Sequence, residues 1–168
     1  LAIGLNLVIG FSGQFSLGHA GFMAIGAYSG AIIGDKIEGL PGFFAGLFVG
    51  VFISIVVALI VGIPTLRLKG DYLAIATLGV AEIIRILILN MGDLTNGARG
   101  ISGISFPFES NMSFIMVLFL IVIVTSIITI NYIHSSPGRA TIAIREDEIA
   151  AESMGVNATT YKVIAFMI

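Results

Sequence analysis

FFAGLFVGVFISIVVALIVGI, residues 43–63, contains no charged side chain, and SFIMVLFLIVIVTSIITINYI, residues 113–133, contains none either. A run of about 20 apolar residues wound as a helix is long enough to cross the hydrocarbon core of a bilayer. Lipid offers no hydrogen bonds, so a spanning segment must be a helix or part of a closed barrel. Barrel strands alternate apolar with polar residues over about 10 positions. Neither run alternates, so both read as membrane helices. The fold expected is an all-α, polytopic transmembrane helix bundle.

The rest of the chain agrees with this reading. Residues 72–90 form a third span that carries Glu82 and Arg85. Residues 15–34 form a fourth, rich in Gly and Ala, that includes His19. Residues 1–11 and 161–168 read as two further helices cut short, since a stub of about eight helical residues rises only about 12 Å. The expectation is a fragment of one transmembrane domain, truncated at both ends. Hydrophobic residues make up 57% of the 168 and charged residues 11%, against about 45–50% and 25% in soluble domains. Mean hydropathy is +1.08. Lipid must cover part of that apolar surface.

Composition also excludes function classes. The net charge of −2 and the lack of a basic cluster speak against nucleic-acid binding. With no Cys, disulfides, thiolate metal sites and cysteine nucleophiles are excluded for these residues. There is no phosphate-binding Walker loop, no Ser–His–acid set and no pair of neighbouring His. No cofactor or metal is expected, nor catalysis by this chain; an integral-membrane enzyme has no catalytic set here. Any ATP must be handled by another chain.

Lys and Arg set the orientation. Loops near 12–14, 67–71 and 135–160 share one side, with Arg67, Lys69, Arg139, Arg145 and, just beyond, Lys162. Loops near 35–42 and 91–112 share the other, with Lys36 and Arg99. The loop at 135–160 is therefore expected in the cytoplasm. Within it, Ser136 can cap a helix with Pro137 at its first position. Asp147 can cap a short helix closed by Gly155, and Asn157 can cap the next membrane helix.

Several patterns could carry function. Gly26, Gly30 and Gly34 are spaced four apart, as are Gly42, Gly46 and Gly50; such stripes let helix backbones approach closely in lipid. Before the first stripe, Ser12, Gln14, Ser16 and His19 interleave with Gly13, Gly18 and Gly21. Polar, helix-poor backbone at membrane depth is tolerated where it lines a cavity, as in the broken helices of transporters. SGQFSLGHAGFMAIGAY, ending at Tyr28, is thus a candidate broken helix beside a pathway. With no second ligand near it, His19 reads as a hydrogen-bonded interior or interfacial group rather than a metal ligand. Glu82 and Arg85 share a helix face and can pair; they fit either a structural ion pair or the lining of a path for a zwitterion. Thr77 lies on the same helix. The path candidates are Gln14, Ser16, Gly18, His19, Gly21, Tyr28, Thr77, Glu82 and Arg85. The Gly-rich loop from Asn96 to Gly103 reads as tight turns, on the side where a delivery protein could dock. In the cytoplasmic loop, Arg145, Glu146, Asp147 and Glu148 lead into Ala150, Ala151 and Gly155; a short helix with a small-residue face can fit a groove on another protein.

GLNLVIGFSGQFSLGHAGFMAIGAY (4–28), LRLKGDYLAIATLGVAEIIRILILN (66–90), NGARGISGI (96–104) and PGRATIAIREDEIAAESMGVNATTYKVIAF (137–166) together resemble the branched-chain amino acid ABC importer permeases of the LivM type. Ribose-type sugar permeases loosely share Ala76-Thr77-Leu78-Gly79 and Gly138-Arg139, but Arg145-Glu146-Asp147-Glu148 looks like the amino-acid branch. The resemblance implies a permease in a prokaryotic cell membrane, working as a heterodimer with a second permease subunit. It also implies two cytoplasmic ATPase subunits and an extracytoplasmic substrate-binding protein. It places the ATPase-coupling residues at Arg139, Arg145, Glu146, Asp147, Glu148, Ala150, Ala151 and Gly155, with Glu148 to Gly155 as the coupling helix. The rival readings are a sugar permease and a proton-coupled carrier using Glu82.

Overall fold

The computed structural model describes residues 1–37, 39–66, 68, 70–103, 108 and 111–168. Arg67 and Lys69, two of the orientation residues, and Ile104, the last residue of the third motif, lie outside the described residues. Helices account for nearly all regular structure. They are α1 (Ala2–Phe11), α2 (His19–Lys36), α3 (Leu40–Thr65), α4 (Asp71–Asn90), the single turn α5 (Gly92–Thr95), α6 (Asn111–His134), α7 (Ser136–Glu146), α8 (Glu148–Ser153) and α9 (Ala158–Met167). Among the described residues, three helices are long and apolar enough to cross a membrane: α3, α4 and α6.

The fourth expected span, residues 15–34, is not among them. Residues 15–18 are not helical, and α2 begins only at His19. Thr77 takes the Leu17 amide in a 3.0 Å hydrogen bond, and Ser16 takes that of Gly18. Those bonds to side chains stand in for the helical ladder over this non-helical segment.

The two glycine stripes explain why α2 and α3 pack most closely. A Cβ built on Gly46 would lie 2.9 Å from Gly30 Cα, and one on Gly50 2.5 Å from Ser29 Oγ. At Gly46 and Gly30 the backbones touch because neither carries a side chain, which is how helices gain dispersion energy in lipid. Helix α4 packs on α2 and also touches α3, and α9 lies against α3. Phe22 and Phe166 meet edge to face, with ring centroids 5.6 Å apart. Helix α6 packs mainly on α1 and α7, with Tyr132 also against Ala165 of α9, and no residue of its lipid-length stretch is buried. Such a face must be covered by lipid or another helix.

The connections sort to two ends. At one, Phe108 packs on Phe43 and Phe114. At the other, residues 12–15, Leu68, Gly70 and the α7–α9 region surround one polar cavity. The loops grouped by charge alternation therefore share an end.

Candidate functional site

Helix α1 ends in a wide turn. Residues Asn6–Phe11 form a π-helical segment, and the Ser12 amide bonds back to Leu7 O at 3.0 Å. Gly13 then turns the chain with φ of +65°, in the left-handed region where glycine is at ease. The segment that follows is polar yet buried: Ser12, Gln14 and Ser16 are each almost wholly covered. The Gln14 side-chain amide donates to Ser12 Oγ and to the Lys162 carbonyl. Gln14 Oε1 and His19 Nδ1 are buried without a partner among the described residues.

Of the path candidates, Gln14, Ser16, Gly18, Gly21 and Thr77 come together. Thr77 is buried on α4, accepts from Leu17 and donates to Ala74 O. Its Cβ would lie 3.4 Å from one added at Gly18. Gly21 lies one turn on, where a Cβ would sit 3.0 Å from Ala81 Cα. His19 opens α2 beside them. The remaining three stand apart. Tyr28 points its hydroxyl toward Gly100 at the opposite end. Glu82 and Arg85 form a two-pronged pair at 3.1 and 3.0 Å, more than half exposed and on the side of α4 away from the polar cluster. The helix buries Leu73, Ala74, Thr77, Ala81 and Ile84 instead, which is its other face.

The loop at 135–157 is built as three capped pieces. Ser135, one residue earlier than expected, caps α7 by accepting from the Gly138 amide at 3.2 Å; Pro137 is then second in the helix, where its missing N–H costs no bond. Gly138 is needed at this turn, since any side chain there would collide with the carbonyl oxygen of Tyr132. Tyr132 and Thr141 hydroxyls meet at 2.7 Å and tie α6 to α7. Asp147 caps α8, accepting from Ile149 and Ala150 amides at 2.9 and 3.0 Å. Gly155 (φ +83°) closes it, and Asn157 caps α9. Ile144, Ala151 and Ala158 then form a small core that seats α8 against α7 and α9.

That seating revises the expected partner-facing set. Ala151 is buried inside this core, whereas Arg139, Arg145, Glu146, Asp147, Ala150 and Gly155 are exposed. Arg145 pairs with Glu146 and donates from Nη1 to the Gly10 carbonyl at 2.8 Å. Glu148 meets Lys162 Nζ at 2.8 Å, largely covered on both sides. Ile149 and Met154 project outward with 74% and 84% of their surface exposed, an apolar pair on a polar helix of the kind that marks an interaction face. Sequence reasoning gives Ile149 and Met154 no interaction role, and uses Lys162 only for orientation. The signal for the first two was legible: isolated apolar residues in a charged run. Lys162, beyond the loop, gave none.

Fold and site together define a polytopic membrane protein with a rigid, capped helix held at one end of its bundle. The chain belongs to the family described as the branched-chain amino acid transport system permease component, whose family pattern matches residues 1–168. It is 38% identical to the high-affinity branched-chain amino acid transport system permease protein LivM of Salmonella typhimurium, and 37% identical to LivM of Escherichia coli K12. Each alignment takes in 100% of this chain and 46% of the relative, so the chain spans less than half the length of these curated relatives. No solved structure matches it.

Proposed function

We propose that the full-length protein is the permease subunit of an ATP-driven importer for branched-chain or other hydrophobic amino acids in a prokaryotic cell membrane. The family membership and the function of the relatives support the substrate class. The observation that carries the mechanism is α8, a charged helix capped by Asp147, seated on Ile144 and Ala158, with Ile149 and Met154 turned outward. A stiff helix with an exposed apolar pair fits a groove on a separate motor. On this reading residues 135–160 are cytoplasmic and Glu148 to Gly155 is the coupling helix. Two ATPase subunits, a second permease subunit and an extracytoplasmic binding protein complete the assembly, with lipid around α6. ATP-driven closure of the motor displaces α8 and rocks the bundle between inward and outward access.

Uptake by the full-length complex in proteoliposomes tests this. Leucine uptake should need internal ATP, resist a protonophore, and compete with valine but not ribose. Replacing Ile149 by Asp should weaken co-purification with the ATPase at least tenfold. Ribose competition, or uptake that follows the proton gradient without ATP, would refute the assignment.

A further inference from the structure

The α1–α2 break is tied to the α8 unit along two routes. Gly10 is in the last turn of α1, where carbonyl groups lack helical partners. Arg145 reaches that carbonyl from 135 residues away, at 2.8 Å. A cation at a helix C-terminus also meets the negative end of the peptide dipoles, and a charged donor makes the stronger kind of hydrogen bond. The Arg145 stem lies flat on the chain beyond: a Cβ added to Gly13 would come 2.6 Å from Arg145 Cγ. Gly13 is thus needed for its left-handed φ and for the room it leaves. The second route runs through α9. Gln14 donates to the Lys162 carbonyl, and the Lys162 ammonium pairs with Glu148, the first residue of α8.

Packing joins α1 to α6 and α9 elsewhere, through Leu7, Tyr132 and Ala165, but on the side of Gln14 these ties cross open space. A cavity of about 250 Å³ lies among Gln14, Leu73, Ile144, Arg145, Glu148 and Lys162. Where two bodies are separated by a void, force passes through the groups that bridge it rather than through close-packed side chains. We infer that Arg145 is a positioning residue that makes the α1–α2 break move with α8 as one body, delivering displacement of α8 to the buried polar segment at Gln14 and Ser16. This rests on the reading of α8 as the motor contact. It assigns Arg145 an inward task in place of a contact with the motor.

The test uses the full-length complex in nanodiscs, in a cysteine-free background with Phe15→Cys as reporter; Phe15 is 52% exposed. Maleimide labelling at position 15 should change at least threefold between nucleotide-free and ATP-bound states when Arg145 is present. With Arg145→Ala the complex should still co-purify, the labelling response should vanish, and leucine uptake should fall at least tenfold. Arg145→Lys should restore part of the response, and Gly13→Ala, which displaces the Arg145 stem, should reproduce the loss. A full labelling response in both Arg145→Ala and Gly13→Ala would overturn the inference while leaving the importer reading intact. No response to ATP even with Arg145 in place would instead count against α8 as the motor contact.

Discussion

Replacing Thr77 by Val probes the joint between the break and α4. The two side chains have nearly the same shape, so the change removes a hydroxyl and little else. Thr77 is 1% exposed, and its Oγ1 receives the Leu17 amide at 3.0 Å. Without that acceptor the part-buried amide loses its partner. Leaving a buried donor unsatisfied costs about 1–3 kcal/mol. At about 1.4 kcal/mol per decade, the docked form of residues 12–18 should be roughly 5- to 150-fold less favoured. Hydrogen exchange on the full-length protein in nanodiscs reads this directly, because local opening sets amide protection. The peptide spanning Leu17 should exchange faster by that factor, while α3 peptides stay unchanged. Thr77→Ser keeps the hydroxyl and should retain most protection. If Thr77→Val left exchange within twofold of the parent, or Thr77→Ser were equally damaging, the bond would not be what holds the break.

Two further substitutions test the packing and the cap. Gly46→Leu forces a side chain toward Gly30, whose Cα would lie 2.9 Å from the new Cβ; overpacking of this kind costs about 1–3 kcal/mol, and should lower the thermal midpoint of the detergent-solubilised protein, whereas Gly79→Leu, at a site with nothing within 4 Å, should not. Asp147→Ala removes the cap bonds to Ile149 and Ala150 and should cost about 1 kcal/mol, seen as faster proteolysis between α7 and α9. Asp147→Asn should be close to silent, since Asn caps equally well.

Much of this was readable before any coordinates. Uncharged runs as long as the bilayer is thick leave the backbone one economical conformation, so α3 and α6 were legible to within a few residues. Asp147 and Asn157 were legible as caps because their side chains bond their own neighbours two or three residues on. Glu82 and Arg85 were legible as a pair because helix geometry sets their spacing. In each case the physics is local.

What needed the tertiary structure was every contact between distant parts of the chain. The sequence alone put Arg145 in a charged run that looks solvent-facing; only the fold brings Gly10 and Gly13 beneath it. It marked Ala151 as part of an outward face, and burial against Ile144 and Ala158 reversed that. It listed Thr77 and Gln14 as polar residues in apolar surroundings without saying which would meet Leu17 or Lys162. Periodicity and capping act over one or two helical turns, whereas these partners are chosen by how closely the Gly-striped helices approach and by which polar groups are then left to satisfy one another.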